Sequence, residues 1–272
     1  MSKHFLSITV SIALVFAVFA VFTACTVTYT LYDEYRKEPV EPPKSSVMTL
    51  TTNKLGVVTL ETDGDGTATI DWGDGTGVET YNIKGNNRHE HVYYDAGKRT
   101  IAISGENITR LFCSDNDITE LDASDNTALI ELYCNKNRLK ILDLEKNTAL
   151  SVLDCSENEL ENLNVSKNTM MTTLLCNDNH LENLSVSSNT KLKILNCCRN
   201  ELKNLVLGNN TVLTLLDCSN NSLDRNVMDI LINSLHSIII SGKSININNN
   251  PGTEENNETY KIIANSKGWV IN

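Results

Sequence analysis

The chain has 272 residues, 40% of them hydrophobic and 21% charged, which is the composition of a folded protein. Its formal net charge of -11 at pH 7 argues against a nucleic-acid-binding protein and against adhesion to an anionic membrane surface, because both depend on clustered Lys and Arg. An acidic surface is also ordinary for an exported domain, so the charge alone selects no partner.

The N-terminus predicts export. Lys3 and His4 precede the apolar run 5–22, and small residues follow, which is the order of regions in a signal peptide. Residues 22–25, Phe-Thr-Ala-Cys, resemble a bacterial lipobox with Phe in place of the usual Leu. This resemblance implies a signal peptide at 1–24 and lipid attachment at Cys25.

An uncleaved signal anchor is the alternative, because the apolar run approaches the ~20 residues that span a bilayer. Both alternatives place the rest of the chain outside the cytoplasm. Residues 25–46 contain three prolines and no apolar periodicity, which predicts an extended tether.

Residues 47–105 show short strand patterns separated by Gly-containing turns. The predicted strands are 57–60, 67–71, 92–94 and 100–103. The stretch 70–76, Ile-Asp-Trp-Gly-Asp-Gly-Thr, is followed by His91-Val-Tyr93 and then by 97–101, and together these resemble a PKD-like immunoglobulin-type domain. The resemblance implies a small β-sandwich, shorter than is usual for that family, fused directly to the segment that follows.

Two groups in this segment could be taken for sites. Asp63-Gly-Asp-Gly66 is similar to part of a calcium loop, but it lacks the third acidic position and the downstream Glu, so we predict a hairpin turn. Asp71, Asp74, His89 and His91 could form a metal or acid–base site. The family resemblance implies instead that the Trp-Gly-Asp-Gly stretch forms a tight turn, and we predict no catalytic residue, metal or cofactor.

Residues 106–224 repeat with an interval of 21. A cysteine marks each unit, with a leucine two places before it and an asparagine three places after it. The cysteines are Cys113, Cys134, Cys155, Cys176, Cys197 and Cys218. Each unit reads L-x-x-L-x-C-x-x-N-x-L, which resembles the leucine-rich-repeat consensus with Cys in the third apolar position.

The physical role of each position follows from strand geometry. Alternate residues of a strand point to opposite sides, so Leu and Cys face the interior and the residue between them faces solvent. The asparagine side chains are expected to form a ladder that satisfies the backbone of adjacent units. A second ladder is expected at Asn126, Asn147, Asn168, Asn189 and Asn210.

A unit of 21 residues leaves no room for a long helix. The predicted fold class is therefore mainly β: a leucine-rich-repeat solenoid of 21-residue coils, with an N-terminal small β-sandwich and a C-terminal α/β cap at 225–272. In the cap, a helix is predicted around 227–235, a strand at 244–248, a second helix from 253 and a closing strand at 269–271. The cap resembles the ends of leucine-rich-repeat lipoproteins of the Bacteroides type.

The repeated cysteines have three interpretations. An exported protein often forms disulfides, and zinc requires four ligands that converge tetrahedrally. One cysteine per coil at a core position favours a reduced apolar thiol. Cys198, beside Cys197, is predicted to point outward and to be the most reactive thiol.

The solvent-facing strand residues form the candidate binding face, in which Phe112, Tyr133 and Leu175 are the apolar anchors. This face comprises Arg110, Phe112, Glu131, Tyr133, Asn135, Asp154, Thr173, Leu175, Asn177, Asn196, Cys198 and Asp217.

The prediction is a non-enzymatic lipoprotein of the cell envelope, on the outer membrane or cell surface, that binds a protein or host-surface ligand. Its membrane attachment would be the N-terminal lipid or a signal anchor, and it would bind no nucleic acid. The alternatives are a structural spacer without a specific ligand and a carbohydrate-binding surface protein. The strand face has no stacked Trp, which disfavours a carbohydrate ligand.

Overall fold

The coils stack through a parallel sheet in which each strand lies 21 residues from the next. Its repeat strands are β7 (Ile108–Phe112), β9 (Glu131–Tyr133), β10 (Val152–Asp154), β11 (Thr173–Leu175), β13 (Ile194–Asn196) and β15 (Leu215–Asp217). Leu132, Leu153 and Leu174 are register partners in successive strands. The mainly β solenoid with 21-residue coils is confirmed.

The computed structural model describes residues 46–253 and 257–272. The predicted signal peptide, the lipidation site Cys25 and the tether up to residue 45 lie outside the described residues. Ser46, the last residue assigned to the tether, begins the first strand.

Leucines and cysteines of the repeat fill the interior, as strand alternation predicts. The six repeat cysteines are free thiols with 0% exposure. Burial raises the pKa of Cys113 to about 12, because an apolar interior disfavours the thiolate. The assignment of these cysteines to the core is therefore confirmed.

The first asparagine ladder is also present. The side-chain nitrogen of Asn137 donates to the carbonyl oxygens of Cys113 at 3.0 Å and Cys134 at 2.9 Å, and its Oδ1 accepts the amides of Asn116 and Ile118, each at 3.0 Å. One side chain thus satisfies backbone groups in two coils.

The chain takes a left-handed conformation just before each of these asparagines. The φ values lie between 50° and 57° at Asp115, Lys136, Glu157, Asp178, Arg199 and Asn220. This conformation turns the chain out of the strand and aims the next side chain inward. Lys, Glu and Arg adopt it less readily than Asn or Asp, so the ladder bonds must hold these residues in place.

The opposite side of the coils, termed the reverse face, carries the second ladder. Asn147 donates from Nδ2 to the carbonyl oxygens of Ala123 at 2.9 Å and Asn126 at 2.8 Å, and the later coils repeat this arrangement. The strands on this face are short: β8 (Ile118–Asp122), β12 (Asn183–Ser185) and β14 (Asn204–Val206).

The N-terminal segment forms two sheets that continue into the two faces of the solenoid. Its strands are β1 (Ser46–Thr52), β2 (Gly56–Gly64), β3 (Thr67–Asp71), β4 (Val78–Asn82), β5 (Asn87–Tyr93) and β6 (Arg99–Gly105). One sheet has the order β4-β3-β6-β1-β8. The other begins β5-β2-β7 and continues through the repeat strands into the cap, for ten strands in all.

Two features of this segment differ from the sequence predictions. Strands β1 and β4 lay outside the predicted strands. The turn at 65–66 connects β2 and β3, which belong to different sheets, so it is not a hairpin. The partners of β1 and β2 are distant in sequence, which explains why β1 was missed and why 65–66 is not a hairpin, whereas β4 pairs with the preceding strand β3 at the edge of the sheet.

The C-terminal cap covers the last coil. Helix α1 (Arg225–Ser234) begins after Asp224, whose Oδ1 accepts the amide of Val227 at 2.9 Å. Strand β16 (Ser244–Asn246), a 3-10 turn at Pro251–Thr253, helix α2 (Asn257–Ser266) and β17 (Val270–Ile271) follow. No helix in the described residues is long and apolar enough to cross a bilayer.

A buried lysine holds the cap loops together. Lys243 is 2% exposed, and its Nζ donates to the carbonyl oxygens of His236 at 3.2 Å, Ile238 at 2.9 Å and Lys267 at 2.5 Å. Burial lowers the pKa of Lys243, because desolvation disfavours its charged form.

Candidate interaction surface

The outward side of the ten-stranded sheet, termed the strand face, carries side chains in rows that cross the coils. One row of register partners is Asp63, Arg110, Glu131, Val152, Thr173, Ile194, Leu215 and Ser244. The adjacent row is Glu61, Phe112, Tyr133, Asp154, Leu175, Asn196, Asp217 and Asn246. The structure therefore aligns the predicted anchors Phe112, Tyr133 and Leu175 in a single row.

Phe112 and Tyr133 form a stacked pair near the N-terminal end of the strand face. Their ring centroids are 4.2 Å apart and the ring planes differ by 2°. Both side chains are half-buried. Parallel strands in register bring the two rings together although they are 21 residues apart in sequence.

Arg110 lies beside this pair and is held by two carboxylates. Its Nη1 is 3.0 Å from Asp63 Oδ2, and its Nε is 3.0 Å from Glu131 Oε2. The guanidinium carbon lies 5.5 Å from the centroid of the Phe112 ring. The hydrogen bond with Asp63, together with the charge of Glu131, raises the pKa of Arg110.

Glu131 also joins the aromatic pair to this network. The hydroxyl of Tyr133 donates to Glu131 Oε2 at 3.1 Å. Burial and this neighbouring carboxylate raise the pKa of Tyr133, so its hydroxyl stays protonated at neutral pH. Arg110, Glu131, Phe112 and Tyr133 therefore form one fixed cluster.

Asp63 belongs to the cluster although the sequence placed it in a separate module. Burial opposes ionisation of Asp63, but hydrogen bonds from Arg110 and from the amides of Gly64 and Gly85 outweigh this effect and lower its pKa. Gly64 lies at the junction between the two segments, where a Cβ would lie 2.1 Å from the carbonyl oxygen of Asn107. The glycine is therefore the sequence signal of a close approach at this point. The sequence does not show which strand approaches it.

The strand face becomes more aliphatic toward the C-terminal coils. The aliphatic residues Val152, Ile194 and Leu215 lie in one row, with the polar Thr173 between Val152 and Ile194, and Leu215 is 40% exposed. The acidic residues in the adjacent row bind nearby serines. Asp154 Oδ1 accepts the hydroxyl of Ser156 at 2.6 Å, and Asp217 Oδ1 accepts that of Ser219 at 2.7 Å.

The third row contains Ser114, Asn135, Ser156, Asn177, Cys198 and Ser219, and it corrects the prediction for Cys198. The Cys198 side chain is 9% exposed, and burial raises its pKa to about 11. Its row neighbours Ser156 and Ser219 are buried as well, so this row is largely covered although it lies on the outward side of the sheet. Cys198 is therefore a mostly buried, protonated thiol and not an exposed, reactive one.

The His and Asp residues of the N-terminal segment have separate roles. His91 Nε2 is 2.6 Å from Asp74 Oδ2, and the His91 ring stacks on Trp72 with centroids 5.0 Å apart. His89 instead bonds the hydroxyl of Thr62 at 2.9 Å through Nε2. A hydrogen bond from the Thr76 hydroxyl, and a further one from His91, lower the pKa of Asp74 to about 2.

In the described ranges 46–253 and 257–272, no group of three or more His, Cys, Asp or Glu side chains could hold a metal ion.

No protein-family model matches this chain, and no curated protein matches it. Among solved structures, it is similar to the functional domain of InlJ from Listeria monocytogenes, described as including a cysteine ladder, at 30% identity over 57% of this chain and 42% of that chain, with a TM-score of 0.31. It is also similar to the leucine-rich-repeat domain of APL1B, at 22% identity over 51% of this chain and 40% of that chain, with a TM-score of 0.42. The match covers less than half of either protein, so the fold assignment rests on the coil geometry of this chain.

Proposed function

We propose that this chain is a non-enzymatic cell-envelope lipoprotein that binds a protein partner through the strand face. The Phe112–Tyr133 pair is the main supporting observation. Aromatic and Arg side chains contribute much of the binding energy in protein interfaces. Because Arg110, Glu131 and Asp63 already fix this pair, binding would cost little additional side-chain entropy.

The extent of the strand face also supports this proposal. Strands spaced about 4.8 Å apart give the six repeat strands a length of roughly 25 Å. A typical stable interface buries about 800 Å² on each partner. A partner that lies across the coils would contact the aromatic cluster at one end and the aliphatic residues Val152, Ile194 and Leu215 at the other.

Site-specific photo-crosslinking on intact source cells tests the binding proposal. A photoreactive phenylalanine replaces Leu175 on the strand face or Val206, which is 51% exposed on the reverse face. We expect one partner to crosslink from position 175 and not from 206. Adding Phe112→Ser and Tyr133→Ser to the protein with the photoreactive residue at position 175 should lower the crosslinking yield about tenfold, because two interface anchors are lost.

Crosslinking of the same proteins from both positions, or a yield that the double substitution leaves unchanged, would indicate a structural spacer. A glycan captured at position 175 would instead favour the carbohydrate-binding alternative.

Anchoring is a separate part of the proposal, based on the lipobox-like residues 22–25. Radiolabelled palmitate should be incorporated into the wild-type chain and not into the Cys25→Ala variant. An unlabelled wild-type chain would contradict the lipoprotein assignment. Surface proteolysis of intact cells then distinguishes a cell-surface location from one beneath the outer membrane.

A further inference from the structure

A groove opens on the reverse face between β8 and the next coil. Its volume is about 740 Å³. Threonines of β1 and β8 line one part, and charged residues of β8 and of the next two coils line the rest. Thr49, Thr51, Thr119, Glu120, Ile141 and Asp143 are among the lining residues.

The edge of β8 along this groove is not covered by the next coil. β8 is the last strand of the five-stranded sheet and pairs with β1. The amide of Arg138 bonds the carbonyl oxygen of Ile118 at 2.8 Å, but within the described structure no backbone hydrogen bond joins 119–122 to 139–143. Among the later half-repeats on this face, β12 and β14 pair with each other, whereas residues 140–143 and 161–164 form no strand. An uncovered strand edge can accept an added strand.

Ile141 interrupts a polar column beside this edge. The equivalent positions of the other coils, 21 residues apart, are Glu120, Asn162, Asn183 and Asn204. The Ile141 side chain is 79% exposed. An aliphatic side chain at a position where the neighbouring coils carry polar residues provides an apolar contact for a ligand.

The charges that line the groove favour a cationic ligand. Four carboxylates and two cations line it, Glu120, Asp122, Asp143 and Glu159 against Arg138 and Lys140, which gives a formal charge of -2. The two cations already have partners within the chain, and Glu120 is itself paired with Lys98 at 3.0 Å. Among the described residues, Asp122 and Asp143 are the groove carboxylates that form no ion pair. Arg138 lies 3.2 Å from Asp117, and Lys140 lies 3.7 Å from Glu159.

We infer that this groove binds an extended, basic segment of a protein partner. The backbone of that segment would bond to the edge of β8, an aliphatic side chain would contact Ile141, and Lys or Arg side chains would lie near Asp122 and Asp143. The groove is separate from the strand face, so this inference does not depend on the proposed function.

Fluorescence anisotropy with the full-length chain in detergent tests the inference. The probe is a labelled nine-residue peptide that alternates Lys and Val, and the control peptide alternates Glu and Val. We expect only the Lys peptide to bind, with an affinity that falls as salt increases. N-methylation of alternate residues of the peptide should abolish binding, because it removes the donors needed for pairing with β8.

The chain itself suggests matched variants. Ile141→Asn and Asp143→Asn introduce the residues that the next coil carries at Asn162 and Asn164, so the repeat should tolerate them. Each should weaken peptide binding by about fivefold or more, with unchanged thermal unfolding. Phe112→Ser, on the strand face, should leave peptide binding unchanged.

Any of three results would overturn the inference. These are no binding of the Lys peptide, equal binding of both peptides, and an affinity that is unchanged by Ile141→Asn but reduced by Phe112→Ser.

Discussion

The side-chain nitrogen of Asn158 donates to the carbonyl oxygen of Cys134, 24 residues earlier in the chain, at 3.0 Å. It also donates to the carbonyl oxygen of Cys155 at 3.1 Å, and Asn158 Oδ1 accepts the amide of Leu139 at 3.0 Å. This single side chain therefore links two coils, and its loss would leave buried backbone groups without partners.

Substitution of this residue should destabilise the solenoid. Asn158→Ala is expected to lower the free energy of unfolding by about 3 kcal/mol, because several buried donors and acceptors lose their partner. Urea denaturation followed by circular dichroism measures the change. Asn162→Ala removes an exposed asparagine four residues away and serves as the control. A loss of less than about 1 kcal/mol in Asn158→Ala would contradict the ladder's energetic role.

The thiols should be unreactive in the folded protein. The seven described cysteines are buried, and the pKa of Cys198, the most exposed of them, is raised to about 11. At pH 8 almost none of these thiols is ionised. In a Cys25→Ser background, a thiol reagent such as Ellman's reagent should release almost no chromophore until denaturant is added, and then seven equivalents. Rapid reaction of one thiol in the native protein would show that Cys198 is accessible after all.

The junction between the N-terminal segment and the first coil should be sensitive to one methyl group. In Gly64→Ala, the new Cβ would lie 2.1 Å from the carbonyl oxygen of Asn107, which is backbone and cannot rotate away. We expect a loss of about 2 kcal/mol or more in the free energy of unfolding. Gly97→Ala is the matched control, because its new Cβ meets only the flexible Arg99 side chain, at 3.3 Å. Equal stability of the two variants would show that the junction is looser than described.

Mild acid should weaken the N-terminal segment through His89. Its side chain is 3% exposed and its Nδ1 has no hydrogen-bond partner in the structure, while burial lowers its pKa below the usual 6.5. The unfolded chain therefore binds more protons than the folded chain as pH falls below 6.5. The contribution of His89 to the free energy of unfolding should be fully present above pH 6.5, and it should decrease as the pH falls toward the folded-state pKa.

Thermal unfolding of wild type and His89→Gln between pH 7.5 and 5 checks this prediction. The wild type should lose more stability than the variant across this range. Titration of Asp74 contributes little to the pH dependence in this range, because the pKa of Asp74 is about 2. Parallel pH profiles for the two proteins would contradict the role of His89.

The 21-residue period by itself determined the coil, the inward Leu and Cys positions and both asparagine ladders. These features follow from local rules, since side chains alternate along a strand and each unit repeats the same contacts with its neighbour. Cys198 shows where the local rule stops. Alternation gives the side of the sheet on which Cys198 lies, but its burial depends on neighbours in the adjacent coils, where Ser219 is also buried.

Only the tertiary structure decided how the N-terminal segment joins the repeats. β1 pairs with β8 and β2 with β7, both antiparallel, and this places Asp63 against Arg110 across 47 residues of sequence. The groove beside β8 also depends on this pairing. In the repeats, each unit makes the same contacts with its neighbour, so these contacts leave a periodic pattern in the sequence. Pairing between unlike strands that are distant in sequence leaves no such pattern, and the partner of each strand is therefore known only from the folded structure.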